Sequence, residues 1–481
     1  MERARRDGLY FVVLGAIIFL ALGLILLSSS DTRSSDFRFV YNGVRCLLQN
    51  VDPYQRNNFI RVFESEGGEL GTGRSRLQHL EMAQYMYFPT SAILFPLALL
   101  PWNIALVVWT ALISVGFIFA SYLAWDWGAV NSPVLAGMLV LPILGSSELL
   151  IVTGNPVGVV VPLAVIAVWC FVQERFVPAG ILCLALGLLL KPHDVALLWL
   201  YFFLAGKAYR RRAVQTLVAA LVLGAPSILL TSVVAPHWVP ELRSNLAALS
   251  SPGHLNDPGP TSMSGHGIGM VTDLQSVISL VKNDRRIYDP VSYLIFALLF
   301  LPWVFVTLRT RPSKSLALYA ITAISALSML PSYHRVGDAK LLLIAIPACT
   351  VIWVNGGVLK WVGLAITSLG ILMTGEFQWA MFFAIIKNLP FSGKWLDASA
   401  LAALQVIPVP SILLVVAIFY LYVYFKFAVR SEDRPNGVAA NSLAKIKACL
   451  SEGNGHQALT DRRRTDMRLE AVGEWENCAV K

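Results

Sequence analysis

Long apolar stretches broken by short polar turns recur almost from the start of the chain to residue 425, and no other feature constrains its fold as tightly. The runs are Leu9–Leu27, Asn103–Ala124, Pro133–Leu149, Pro156–Phe171, Pro178–Leu190, Val195–Ala205, Ala213–Val233, Val291–Leu308, Ser315–Leu330, Leu341–Val354, Val358–Thr374 and Ala400–Phe425. A hydrocarbon core of about 30 Å takes about 20 apolar residues per helix. In lipid each backbone polar group must be satisfied within its own element, so the spans are helices. The expected fold is all-α, a polytopic transmembrane helical bundle of about twelve spans. A barrel would need short alternating segments instead. Composition agrees: of 481 residues, 56% are hydrophobic and 14% charged, where a soluble domain carries roughly a quarter charged.

The net charge of +9 does not imply nucleic acid as a partner. Basic residues crowd into short loops between apolar runs, Lys207, Arg210, Arg211 and Arg212 in one and Arg309, Arg311 and Lys314 in another, as cytoplasmic loops do. Arg3, Arg5 and Arg6 precede the first run, and Ser28-Ser29-Ser30-Asp31 after it lacks an A-x-A cleavage site. An uncleaved anchor with its N-terminus inside is expected. Threading the runs from that start puts both basic loops, Lys426 and Arg430 on the inner side. The expectation is a multi-pass protein of the cell (inner) membrane with both termini cytoplasmic. Residues 1–430 form the membrane domain, and 431–481, polar and without apolar periodicity, read as a disordered cytoplasmic tail. Arg462-Arg463-Arg464 in that tail reads as a solvated charge run or a contact with anionic lipid.

The same threading collects the polar chemistry on the outer side. Its segments are Ser28–Leu100, Thr153-Gly154-Asn155, Lys191-Pro192-His193-Asp194, Val234–Pro290, Pro331–Lys340 and Gly375–Ser399. Thr90–Leu100, cut by Pro96 and stopped by Pro101, reads as an interfacial or re-entrant helix. Asp36 opens an amphipathic helix just after the first span. It is read either as the helix N-cap, a position that favours aspartate, or as a general base at the membrane surface. Lys191 and His193 end one apolar run, and Tyr333, His334 and Arg335 end another. Snorkelling side chains compete there with a site for an anionic group, since charge near the membrane core is costly and tends to be functional.

Other chemistries lack a signature. The chain carries no P-loop, HExxH or GxSxG, and Gly265-His266-Gly267-Ile268-Gly269 has no strand before it. The six cysteines have neither metal nor disulfide spacing. No metal and no cofactor are expected.

Several residues in order carry a resemblance. They are Asp36-Phe37 with Tyr41, Asp52-Pro53-Tyr54, Tyr87-Phe88-Pro89 with Pro96-Leu97 and Leu100-Pro101, Gly154-Asn155, Ala179-Gly180 leading to Lys191-Pro192, and Pro331-Ser332-Tyr333-His334. This order resembles glycosyltransferase family 87, the DUF2029 group with the GT-C fold, whose members include polyprenyl-phosphate-mannose-dependent mannosyltransferases. The chain departs from the family's usual pattern at Phe88-Pro89-Thr90, Gly154-Asn155-Pro156 and Tyr333. The resemblance implies that Asp36 is the catalytic base, deprotonating an acceptor hydroxyl that attacks a polyprenyl-phosphate sugar with inversion. Lys191, His193, His334 and Arg335 are then the candidates to hold the donor phosphate, and Tyr41, Asn155 and Tyr333 the acceptor or sugar. The partners implied are a polyprenyl-phosphate sugar donor, a lipid-linked or glycan acceptor and membrane lipid. A lipid or sugar transporter or flippase is the alternative. It would place its site at the midplane between repeated halves. A polymerase or ligase of lipid-linked glycans, using a pyrophosphate-linked donor, is a third reading.

Overall fold

The structure is a computed structural model that describes residues 2–29, 34–85, 89–262, 272–388 and 403–432. The chain divides into a large unit, Met1–Ala428, and a C-terminal unit, Val429–Lys481. The tail beyond Glu432, the Gly265–Gly269 turn and the pair Tyr87-Phe88 lie outside the described residues.

The large unit is helical, with no β-strand among the described residues. After α1 (Glu2–Ser29) come three short helices, α2 (Ser35–Leu48), α3 (Arg56–Ser65) and α4 (Gly73–Tyr85). A 3-10 turn, Pro89–Leu94, runs into α5 (Phe95–Ala98), where an interfacial or re-entrant helix was expected. Then follow α6 (Trp102–Ala129), α7 (Pro133–Gly145), α8 (Leu149–Thr153), α9 (Val157–Gln173), α10 (Val177–Leu190), α11 (Pro192–Leu204) and α12 (Lys207–Val234). An outer segment contributes α13 (Trp238–Leu249) and α14 (Leu274–Val281). The last part holds α15 (Arg285–Arg309), α16 (Lys314–Ser328), a 3-10 stretch Asp338–Ile344 leading into α17 (Ala345–Asn355), then α18 (Gly357–Met373), α19 (Glu376–Asn388) and α20 (Pro408–Glu432).

Among the described residues, seven helical stretches are long and apolar enough to cross a membrane, namely α1, α6, α7 with α8, α12, α15, the 3-10 stretch with α17, and α20, or eight if the pair α18–α19, bent by 73°, is one span. The expected count of about twelve is not reached by that measure. The reason lies in α9, α10, α11 and α16, which hold 17, 14, 13 and 15 residues. At 1.5 Å per residue they reach roughly 20–26 Å, less than a full span by length alone, although α9 runs from Asn155 at the Asp36 end to Gln173 at the Lys314 end. Of these, α16 is enclosed by protein: every residue from Leu316 to Ser328 is buried, the mark of a helix apolar all round because it lies inside the bundle.

Contacts fix which loops share an end of the bundle. Gly8 meets Pro133 and Gly23 meets Ile151, so α1 runs parallel to α7 and α8. Gly158 meets Ile113 and Gly116 meets Pro162, so α6 and α9 are parallel too. The first approach is so close that a Cβ on Gly8 would fall 2.2 Å from the Pro133 carbonyl oxygen, the kind of backbone contact that small residues permit between membrane helices. One end then gathers basic side chains. Arg5 pairs with Asp126, Arg212 Nη1 donates to the Phe171 carbonyl at 2.6 Å, and Lys314 Nζ bonds Gln173 Oε1 at 3.0 Å. The opposite end receives α2, α3, α4 and α13. These knit together through Gln55 and Glu241, Asn245 Nδ2 and the Tyr54 carbonyl (3.4 Å), and the Glu81 carboxylate with His254 Nδ1 (2.8 Å) and the Leu255 N–H (2.7 Å).

Candidate active site

Asp36 is delivered by the turn between α1 and α2. Ser34 takes the left-handed conformation (φ 49°) and is the residue preceding the helix, and its N–H donates to the Val152 carbonyl at 2.8 Å. Asp36 therefore sits inside the first helical turn and is not the N-cap. Phe37, fully buried, stacks on Trp109 with ring centroids 4.6 Å apart and planes 7° apart, an aromatic contact worth about 0.5–1.5 kcal/mol beyond its burial. The Trp109 indole N–H donates to the Gly154 carbonyl at 2.8 Å. Gly154 itself is left-handed (φ 62°), and a Cβ there would lie 2.9 Å from Ser34 Cβ and 3.0 Å from Phe37 Cβ. Only glycine meets both demands.

That closeness brings Asn155 to Asp36. The Val157 N–H donates to Asn155 Oδ1 at 3.0 Å, an Asx turn that starts α9 and fixes which way the amide points. Its Nδ2 then donates to Asp36 Oδ2 at 2.6 Å, and the Ser35 hydroxyl lies 3.3 Å from Oδ1. Burial pushes the Asp36 carboxyl above its ordinary value, and the Asn155 hydrogen bond, with the charges of Arg335 and Lys191, offsets part of that rise. Residues 36, 155, 191 and 335, far apart in the chain, therefore share one electrostatic neighbourhood.

The cationic groups come with acids. Lys191 pairs with Asp338 and lies 3.2 Å from Asp194 Oδ2. The Arg335 backbone N–H donates to Asp338 Oδ2 at 2.8 Å, and its Nε donates to the Tyr333 hydroxyl. His193 Nε2 and His334 Nε2 each stand 3.5 Å from Asp194 Oδ1, with the two rings edge to face, centroids 5.1 Å apart. His334 is buried, and desolvation pushes its imidazole below the ordinary histidine value; His193 moves the same way for the same cause. Both rings thus act as neutral groups more readily than as cations. His193, Asp194 and His334 offer ligand atoms all within 4.8 Å of one another, a spacing that can hold a metal ion.

Of the residues singled out in the sequence, Asp36, Asn155, Lys191, His193, Tyr333, His334 and Arg335 are joined in this way. Tyr41 is not: it is buried, and its hydroxyl donates to the Leu100 carbonyl at 2.8 Å, which ties α2 to the corner before α6. Sequence reasoning gave no role to the two acids that organise the cations. Asp194 lay in view three residues after Lys191, a spacing that pairs charges on a helical turn. Asp338 meets Lys191 across 147 residues, and no local pattern announces that.

The model of glycosyltransferase family 87 matches residues 85–332, just over half of the chain. The match includes Asn155, Lys191 and His193 and ends just before Tyr333; Asp36 precedes it. No curated relative matches the sequence at a significant level.

Proposed function

The chain belongs to glycosyltransferase family 87, and from that premise we propose that this membrane glycosyltransferase moves a mannosyl unit from a polyprenyl-phosphate donor to a lipid-linked or glycan acceptor. Asp36 takes the proton of the acceptor hydroxyl. The acceptor oxygen attacks the anomeric carbon, the bond from that carbon to the phosphate oxygen breaks, and polyprenyl phosphate leaves with the electron pair. Attack opposite the leaving group inverts the anomeric centre.

The observation that carries the reading is the Asp36 carboxylate held by Asn155 within reach of the Arg335 and Lys191 charges. A carboxyl raised by burial is a stronger base when ionised, and a general base contributes typically about 10²–10⁴-fold. The leaving phosphate gains charge as the bond breaks, and cations fixed beforehand stabilise that charge. A guanidinium suits it through its planar fork of donors, which gives Arg335 the leading role. Lys191, His193 and His334 complete the phosphate shelf, and Asn155 and Tyr333 border the acceptor and sugar.

Orientation follows from charge. Lys and Arg favour the cytoplasmic side, so the end that holds Arg5, Arg212 and Lys314 faces the cytoplasm and Asp36 faces the outside of the cell membrane. The test is transfer of radiolabelled mannose from its polyprenyl phosphate in vesicles carrying the protein. Asp36→Asn is expected to lose about 10²–10⁴-fold in rate. Full turnover by that variant removes Asp36 as the base, and accumulation of donor across sealed vesicles without a new glycosidic bond favours transport instead.

A further inference from the structure

The two histidines of the proposed phosphate shelf share with Asp194 a feature that phosphate binding does not explain. Asp194 Oδ1 and His334 Nε2 are buried and have no hydrogen-bond partner among the described residues, while Asp194 Oδ2 faces Lys191 Nζ at 3.2 Å. Buried polar atoms without partners are rare and costly. His334 Nδ1 pairs with the Ser332 carbonyl at 2.9 Å, which a ring nitrogen does only when it carries the hydrogen. In the neutral ring, Nε2 is then a bare lone pair. It looks at a carboxylate oxygen 3.5 Å away, and two acceptors face each other stably only with a cation or a proton between them. His193 Nε2 looks at the same oxygen from the same distance.

Those distances have a natural occupant. A tetrahedral ion with bonds of about 2.0–2.2 Å sets neighbouring ligands roughly 3.3–3.6 Å apart. The Ser332 carbonyl is also the kind of outer partner that orients a metal-binding imidazole through its other nitrogen. Charge points the same way. The Lys191 ammonium stands against both Asp194 and Asp338, Arg335 meets Asp338 through its backbone N–H, and Asp36 adds a third carboxylate nearby. The side chains alone leave no positive excess for an anionic donor, whereas a divalent ion supplies one.

We propose that His193 Nε2, Asp194 Oδ1 and His334 Nε2 form a three-ligand site for a divalent transition-metal ion of the zinc class, with a fourth position open toward the outer face. The opening lies at His193, whose side chain is 34% exposed while those of Asp194 and His334 are 0% and 2% exposed. Two imidazoles and one carboxylate with a fourth place for water or substrate is a ligand set that suits a working metal more than a purely structural one. That the fourth ligand is an oxygen of the donor phosphate rests on the proposed function; the ion site itself does not. The groups facing His334 are Asp194, Asp338, Lys191, the His193 ring and the backbone carbonyls of Ser332 and His193. Among them Lys191 opposes a cation, and the two carboxylates favour one.

The test uses the full chain, chelator-treated in detergent and titrated with Co²⁺ as a coloured stand-in for Zn²⁺. One equivalent bound, with the strong visible bands of a tetrahedral site that Zn²⁺ then bleaches, is expected. His334→Ala loses the bands and weakens binding at least tenfold. His193→Gln, at the half-exposed ligand, does the same without opening a buried cavity, and its melting temperature without metal stays at the wild-type value. No stoichiometric uptake by the wild type, or uptake that both histidine variants retain, overturns the site. Because uptake is read without donor or acceptor, the two readings fail separately. A chain that binds cobalt yet transfers no mannose sinks the donor assignment. A chain that transfers mannose after full chelation and takes up no cobalt sinks the metal.

Discussion

Removing the Asn155 amide should move the pH dependence of sugar transfer while leaving its upper plateau nearly in place. In the wild type, Asn155 Nδ2 donates to Asp36 Oδ2 at 2.6 Å, and this bond lowers a carboxyl that burial has raised. A hydrogen bond to a charged group contributes about 1.5–3 kcal/mol, and 1.36 kcal/mol corresponds to one pKa unit. Asn155→Ala should therefore raise the Asp36 pKa further. The sign follows from the role of the group. A general base works ionised, so the rate climbs as pH rises through its pKa, and the wild-type acid limb already stands above that of an ordinary carboxylate. In the variant the limb shifts upward. At a pH below both limbs the rate falls about 10–100-fold, and well above them it returns to within a few-fold of wild type. Asn155→Ser separates this effect from loss of the turn, because a hydroxyl still accepts from the Val157 N–H but reaches less far toward Asp36. The assay is initial-rate transfer from radiolabelled donor across pH in reconstituted vesicles. A limb that stays put in an active variant, or a loss uniform at every pH, would refute the coupling between Asn155 and Asp36.

Two further substitutions probe what holds the site in place. Gly154→Ala imposes a left-handed backbone on a residue with a Cβ, at about 1–2 kcal/mol, and sets that Cβ 2.9 Å from Ser34; a lower melting temperature with a larger loss of transfer is expected, and wild-type behaviour in both would contradict the close packing of α2. Lys340→Met strips donors from the Ser146 carbonyl (3.0 Å) and the Thr374 carbonyl (2.8 Å) and leaves the buried Glu376 without its cation; breaking a buried pair costs about 3–5 kcal/mol, to be read as a fall in thermal stability in detergent, with Lys340→Met/Glu376→Gln recovering part of it.

Lys340 also shows where reading along the chain reaches its limit. It stood beside Arg335 and Asp338 as one more charge at an outer span end. The structure sends it into the protein between α7 and the bend at Thr374, away from the cluster that Arg335 and Asp338 join. Tyr41 shows the same limit, since its neighbours in sequence do not reveal that its hydroxyl is taken by Leu100. Asp36 was singled out as a base by the resemblance, since its position after a span at the start of an amphipathic helix fitted an N-cap as well. Lys191 and His334 were legible because charge at the end of an apolar run is costly.

Apolar runs determine by themselves that this chain is a helical membrane protein, and the placement of lysine and arginine determines which loops share an end, because solvation by lipid or water acts on each segment separately. Tertiary structure alone decided how far each apolar helix is enclosed by protein, as α16 is from Leu316 to Ser328. It also decided that Asn155 meets Asp36 across 119 residues and that Asp194 sits between two histidines from different parts of the chain. Hydropathy is a property of a segment, whereas a site is made by contacts between segments, and those are set when the helices pack.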